Sequence, residues 1–190
     1  MRDYSQLSPA AERIVDVAEA LIQRQGFNGF SYEDIAQTVG IRKPSVHHHF
    51  ATKADLATVV THRYVQRFSH ALGNLDRSIA DPHKRLLAYA QLFQDTYNNN
   101  RDLCLCGMLG AESGTLPESV REQLSPFFQL NLSWLTQTLA EAWPARAEQA
   151  QSLAMLLLSA LEGAMIVGRS RPEADAPAQV AQAFLEQLRT

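Results

Sequence analysis

Six polar side chains between residues 42 and 53 have the types and spacing that suit contacts with a nucleic acid: Arg42, Lys43, Ser45, His47, His48 and Lys53. Cations and hydroxyls bind phosphate oxygens, and an imidazole can donate to or accept from base edges. In a helix, successive side chains point about 100° apart. Ser45, His47 and His48 would then face away from the side that carries Val46 and Phe50, as a DNA-reading helix requires.

Residues 31–50 predict two short helices, joined by a tight turn, that would position these side chains. Ser31 and Asp34 form a capping-box pattern at the start of the first helix. Gly40 suits the turn, because glycine adopts a left-handed conformation without steric cost. Pro44 suits the first turn of the second helix. This pattern is typical of a helix-turn-helix, and Ser31 joins the candidate DNA contacts.

A wider stretch, residues 13–56, resembles the DNA-binding domain of the TetR family of bacterial repressors. The residues that carry the resemblance are Arg13-Ile14, Gly26-Phe27, Ser31, Ile35-Ala36, Gly40-Ile41, Val46, His49-Phe50, Lys53 and Leu56. Members of the family usually have a small polar residue in place of Arg42 and tyrosines in place of His47 and His48. We therefore expect these three side chains to set the sequence preference. The other contacts, Ser31, Lys43, Ser45 and Lys53, would position the protein on the phosphates.

Composition argues for a sequence-specific regulator rather than a bulk nucleic-acid binder. The 190-residue chain has a net charge of −3, with eight basic and seven acidic residues in 1–67 and nine and thirteen in the remainder. We see no signal-peptide pattern, and the apolar run Leu153–Gly168 is short for a bilayer and contains Glu162. Two cysteines separated by one residue indicate a reducing compartment. We expect a cytoplasmic protein that does not span a membrane.

Helical periodicity recurs along the whole chain, and no segment alternates as a strand would. The sequence therefore predicts an all-α fold with two domains. Residues 8–52 would form the three-helix DNA-binding domain, and a helix from Lys53 to about Leu72 would connect it to the rest. Residues 53–190 would form a helical effector-binding and dimerisation domain, with long helices over residues 115–143 and 147–169.

Apolar and aromatic side chains in this second domain are candidates for an effector pocket. Such stripes are more often plain core, but the resemblance implies an inducer site here, and such a site is mostly apolar. The candidates are Tyr89, Phe93, Tyr97, Met108, Phe127, Asn131 and Trp134, with Gln94 and Glu162 as further polar groups. We expect Glu162 to pair with Arg169 or with an arginine of another chain, since an unpaired buried charge is costly.

Cys104 and Cys106 are the remaining candidates for chemistry. Their spacing does not fit a zinc site. Residues 104–112 resemble a segment of a TetR branch that includes repressors responding to electrophiles. In that pattern Cys104 matches the family cysteine, and Cys106 is an addition of this chain. The alternative is that both are small buried hydrophobic residues.

Other functions find little support in the sequence. His47, His48 and His49 are consecutive on a helix and cannot converge on one metal ion. There is no catalytic or cofactor-binding motif, so we expect neither an enzyme nor a bound cofactor or metal.

Small residues in 147–169, together with 177–188, suit a helical interface, and the resemblance implies a homodimer there.

The prediction is thus a dimeric repressor that binds double-stranded operator DNA. A small apolar or electrophilic effector, or thiol modification, would release it from a palindromic operator. The alternatives are a helical small-molecule-binding protein and a constitutive DNA-binding protein without an effector.

Overall fold

The computed structural model describes residues 7–171 and 174–189. Residues 172, 173 and 190 of the predicted second domain lie outside the described residues. Within the described part of the chain every regular element is helical and no strand occurs, which confirms the all-α prediction.

The described helices are, in chain order, α1 (Pro9–Gln25), α2 (Tyr32–Val39), α3 (Lys43–His49), α4 (Lys53–Ser78), α5 (Pro82–Asn98), α6 (Leu105–Ala111), α7 (Glu118–Arg121), α8 (Leu124–Ala142), a 3₁₀ helix (Pro144–Gln149), α9 (Ala150–Ser170) and α10 (Ala176–Arg189).

The boundaries of α2 follow the local signals in the sequence. Ser31 caps its start: the Asp34 carboxylate accepts a hydrogen bond from the Ser31 N–H at 2.7 Å, and the Ser31 hydroxyl faces the Asp34 N–H. The Ser31 hydroxyl also donates to the Asp34 carboxylate at 2.8 Å, and this hydrogen bond, together with the one from the Ser31 N–H, lowers the pKa of Asp34. Gly40 ends α2 in the left-handed conformation, with φ 77° and ψ 35°. Because a side chain there would be strained, glycine determines the turn into α3.

The first of two compact units contains the chain up to Gln66 together with Leu105–Pro126. Its core includes side chains of residues 9–56 with almost no exposed surface, among them Ile14, Ile22, Ile35, Val46, Phe50 and Leu56, and fully buried side chains of the later segment such as Leu105 and Leu109. The predicted functional boundary between residues 52 and 53 stays a prediction. By packing, however, the segment 105–126 belongs with the first helices, which the sequence did not indicate.

Glu112, just after α6, joins this distant segment to the corner between α1 and α2. Its Oε2 accepts a hydrogen bond from the Phe27 N–H at 2.5 Å, and its Oε1 accepts from the Asn28 side-chain amide at 3.1 Å. Gly26 has φ 77°, and a Cβ there would lie 2.6 Å from Glu112 Oε2. Glycine at this position therefore both allows the turn and leaves room for the carboxylate.

The second unit contains Arg67–Cys104 and Phe127–Thr190. From α4 onward, the helices of the chain differ in three places from the prediction. Helix α4 runs to Ser78 instead of ending near residue 72. The single helix predicted over 115–143 is wrong: α7 ends at Arg121 and α8 begins at Leu124. Pro126 explains the break, because it cannot donate a hydrogen bond to the carbonyl four residues earlier. The helix expected from residue 147 begins at 150, after the 3₁₀ turn.

The span Pro144–Ser170 is apolar and long enough, by length and composition alone, to cross a membrane. The apolar run Leu153–Gly168, which we expected to be too short for a bilayer, is part of this longer span. Buried helices of soluble proteins pass the same test, so length and composition do not distinguish the two cases.

We expect Glu112→Ala to lower the free energy of unfolding by about 1–3 kcal/mol, because the partly buried Phe27 N–H loses its hydrogen-bond acceptor. Urea unfolding at neutral pH would measure the change. Glu122→Ala, at an exposed position after α7, is the matched control and should unfold like the wild type. Equal stability of the two variants would show that the Glu112 contacts do not stabilise the corner.

Candidate functional site

The predicted DNA contacts lie on the solvent side of α2 and α3. Ser31 at the start of α2 is exposed, as are five residues at or near α3: Arg42, Lys43, Ser45, His47 and His48. Val46 and Phe50, by contrast, are fully buried. Helix α3 thus has one side packed in the core and one polar side exposed to solvent.

Tyr32 fixes α3 in place and was missed by the sequence analysis. Its hydroxyl donates to the Phe50 carbonyl at 3.1 Å, and its ring meets the His47 ring edge-on at 4.6 Å between centroids. His47 Nδ1 also lies 3.5 Å from the Ala51 carbonyl. The His47 ring is therefore partly positioned before any partner arrives. No local signal marks Tyr32, because both of its contacts form only when α2 packs on α3.

Lys53 is placed differently from the other predicted contacts. It is half-buried, and its Nζ donates to the Phe30 carbonyl and lies 4.0 Å above the centre of the Phe30 ring. Burial lowers the pKa of this ammonium group. A contact with DNA phosphate, which remains a proposal, would require Nζ to leave the Phe30 carbonyl.

The aromatic effector candidates lie in the core of the second unit. Phe68 of α4 is at the centre of the group, with ring centroids 6.2 Å from Tyr89, 6.0 Å from Phe93 and 5.1 Å from Phe127. Tyr97 is also buried, at 1% exposure. Phe68 was not among the predicted effector residues, because its spacing in the sequence marks only the inner face of a helix.

Two polar groups and an indole complete this aromatic core. The Tyr89 hydroxyl donates to Asn131 Oδ1 at 2.7 Å, and the Asn131 amide donates to the Phe127 carbonyl at 2.8 Å. Burial raises the pKa of Tyr89 well above 10, so the hydroxyl remains a donor at all ordinary pH values. The half-buried Trp134 stacks on Tyr89 with centroids 5.3 Å apart.

Trp134 also takes part in an ion-pair network that the sequence did not reveal. Its indole N–H donates to Asp76 Oδ1 at 2.9 Å, and Arg85 Nη1 lies 3.2 Å from the same oxygen. Arg85 pairs with Glu141 as well. The network fixes Trp134 between α4, α5 and α8, and it could not be foreseen because its members lie far apart in the chain.

Glu162 of α9 was expected to pair with Arg169 or with an arginine of another chain, and the second alternative stays a prediction. Part of the residue is exposed, but its Oε1 is buried and has no hydrogen-bond partner in the described structure. Burial raises the pKa of this carboxyl to about 7, and a hydrogen bond with the Cys104 side chain lowers it in part. Arg169 does not contribute to the shift in the pKa of Glu162. Arg169 lines a surface cleft of about 540 Å³ with Tyr97 and Arg101.

The two cysteines fall in different units. Cys104 is 1% exposed and belongs to the second unit with Glu162, whereas Cys106 is fully buried in α6, in the first unit. Met108, also in α6, is half-buried. Across the described ranges, no three histidine, cysteine or acidic side chains lie close enough together to hold a metal ion.

Gln94, a further polar candidate for the effector site, is used to hold the backbone. Its amide donates to the Ala174 carbonyl at 2.9 Å and accepts from the Ala178 N–H at 3.1 Å. Both groups of the amide therefore anchor the start of α10 on α5, which leaves Asn131 and Glu162 as the polar groups beside the aromatic core.

Glu162→Gln should make the protein more stable at high pH. The folded-state pKa of about 7 exceeds the usual 4.5, so the folded wild type retains a proton that the unfolded chain releases. Its free energy of unfolding should then fall by up to about 3 kcal/mol as pH rises from 4.5 to 7, and remain level above pH 7. The free energy of unfolding of the variant should lack this fall between pH 4.5 and 7. Urea unfolding from pH 5 to 8 would measure it, and parallel pH curves would contradict the burial of an ionisable carboxyl.

Two family models match the chain. One, described as bacterial regulatory proteins of the tetR family, matches residues 14–60. The other, described as the C-terminal domain of LmrA/YxaF-like transcriptional regulators, matches residues 82–187 and so covers more than half of the chain.

Known proteins agree with these matches. A TetR-family regulator from Agrobacterium tumefaciens is 31% identical, with 94% of this chain and 96% of that chain covered and a TM-score of 0.87. A candidate regulator from Saccharomonospora viridis, solved with choline, is 26% identical, with 95% and 97% covered and a TM-score of 0.79.

A curated relative, the transcriptional regulator AcuR of Cereibacter sphaeroides, is 29% identical over 107 residues, which cover 54% of this chain. The match spans about half (48%) of the length of AcuR. Members of the family are DNA-binding transcription factors and not enzymes. The helix-turn-helix, the helical second unit and these similarities together place the chain in the TetR family of transcriptional regulators.

Proposed function

We propose that the protein is a repressor that binds a palindromic operator as a homodimer and leaves it when an effector binds. The observation that carries this proposal is the exposed polar side of α3, held on its buried side by Val46 and Phe50. Arg42, His47 and His48 read base edges, while Ser31, Lys43, Ser45 and Lys53 contact phosphates. Such a protein acts in the cytoplasm, where the chromosome is accessible.

We expect His48→Ala to weaken operator binding about tenfold, which corresponds to the roughly 1–3 kcal/mol that one base contact contributes. His48 is exposed, so the fold should not change. Fluorescence anisotropy at fixed salt, with a duplex selected from a random library, would measure the affinity. His70→Ala, an exposed histidine of α4 outside the proposed surface, is the control. If both variants bind like the wild type, His48 does not read the operator.

The proposed dimer uses α9 and α10. Helix α9 leaves four large apolar side chains about half exposed, an unfavourable arrangement for a monomer in water: Met155, Leu156, Ile166 and Val167. The corresponding residues of α10, Phe184, Leu185 and Leu188, are already buried within the chain. Residues 147–169 would therefore supply most of the apolar contact area, and residues 177–188 the remainder. A dimer also presents two α3 helices to the two half-sites of a palindrome.

The effector would bind among the aromatic and polar side chains of the second unit, and the choline complex of the Saccharomonospora viridis protein supports a small-molecule ligand in this family. Helix α4 begins in the first unit and ends in the second, so it can carry a change between them. The effector favours a conformation in which the two α3 helices no longer match the operator. It can do so only through a difference in its affinity for the two conformations.

Thiol modification is the second way in which the operator could be released. If Cys104 is the sensor, N-ethylmaleimide should release wild-type protein from the operator and leave Cys104→Ser bound, because serine does not add to the reagent under these conditions. Anisotropy during titration with the reagent would measure release. Cys106→Ser should be tested in parallel. Equal release of wild type and Cys104→Ser, or loss of release only in Cys106→Ser, would exclude Cys104.

A further inference from the structure

Three ionisable side chains from different parts of the second unit meet in its core: Tyr89 of α5, Cys104 just before α6 and Glu162 of α9. The Cys104 side chain and the Glu162 carboxyl are hydrogen-bonded. Both also act electrostatically on Tyr89. A thiol beside a buried carboxyl is unlike ordinary apolar packing, because the carboxyl has lost its water without gaining a cation.

The carboxyl of Glu162 still has the capacity to accept a proton. Its Oε1 is buried and has no hydrogen-bond partner, so only part of its accepting capacity is used. The Tyr89 hydroxyl donates to Asn131 rather than to this carboxyl. Within the described residues, two effects act on the pKa of the Glu162 carboxyl: burial raises it, and the hydrogen bond with Cys104 lowers it. No cation among those residues contributes.

We propose that Glu162 is the proton acceptor that activates the Cys104 thiol toward soft electrophiles such as α,β-unsaturated carbonyl compounds. A thiol is a weak nucleophile and its thiolate a strong one, so a base in contact with the sulfur raises reactivity. The pKa of Glu162, at about 7, keeps much of the carboxyl ionised at neutral pH while making it basic enough to take a proton. This inference rests on the electrophile response proposed above and identifies the group that makes it possible.

The step balances without any further reactant. The S–H bond of Cys104 breaks and the proton moves to a Glu162 oxygen. The thiolate then bonds to the β-carbon of the electrophile, and the electron pair of the carbon–carbon double bond moves toward the carbonyl to give an enolate. The proton held by Glu162 passes to the α-carbon, which leaves a thioether on Cys104 and restores the carboxylate.

The test is the rate at which N-ethylmaleimide alkylates Cys104 in full-length wild type and in Glu162→Gln from pH 5.5 to 9. Tandem mass spectrometry distinguishes the adduct on Cys104 from one on Cys106. We expect the wild-type rate to rise as Glu162 ionises near pH 7, and the variant to lack this inflection. At pH 7 the variant should react about 100-fold more slowly, within the range that a positioned proton acceptor contributes.

Two controls separate proton transfer from a change in packing. Glu148→Gln removes an exposed carboxylate just before α9 and should react like the wild type. In concentrated urea all three proteins should react equally, because the thiol is then fully accessible. The same pH profile and rate for Glu162→Gln and wild type in the folded state would overturn the proposal.

Operator binding, measured on the same samples, keeps this inference separate from the proposed function. If the wild type remains bound after Cys104 is fully alkylated, the electrophile response is wrong, while the kinetic role of Glu162 still stands. If alkylation releases the operator but Glu162→Gln reacts with an unchanged profile, the electrophile response stands and Glu162 is not the base.

Discussion

The hydrogen bonds of Glu112 to the corner between α1 and α2 are the contact on which the first unit depends. The N–H groups of Phe27 and Asn28 lie in a turn, where no helical carbonyl can accept from them, and the Glu112 carboxylate supplies the acceptor. Gly26 leaves space for it. As a consequence, a segment about 85 residues later in the chain becomes part of the structure that holds the helix-turn-helix.

This arrangement gives a physical basis for communication along the chain. Cys104 is the last residue before the break in the second unit, and Leu105 begins α6 in the first. Chemistry at Cys104 thus occurs next in sequence to the helix that leads to Glu112. The chain passes between the two units at two further places, within α4 and near the start of α8, so three covalent connections join the proposed effector core to the unit that contains the helix-turn-helix. In the proposed mechanism, a change in any of these connections biases the population of operator-binding conformations.

The second unit tolerates an unusual amount of polarity in its core. Asn131 satisfies the Tyr89 hydroxyl, and Asp76 satisfies both Trp134 and Arg85, so these groups lose little on burial. Two buried atoms of this unit gain no hydrogen-bond partner among the described residues, Arg85 Nε and Glu162 Oε1. An uncompensated buried polar group costs stability, and such a cost is often retained where function requires it.

Local signals in the sequence determined the helical class, the cap at Ser31, the turn at Gly40 and the polar side of α3, because caps, turns and helical faces depend on neighbouring residues. The tertiary structure alone decided the contacts of Glu112, the Tyr32 anchor of α3, the packing of Lys53 on Phe30 and the pairing of Glu162 with Cys104. Each of these joins side chains whose proximity no local period encodes. Burial raises the pKa of the Glu162 carboxyl, and the carboxyl becomes buried only once the helices have packed.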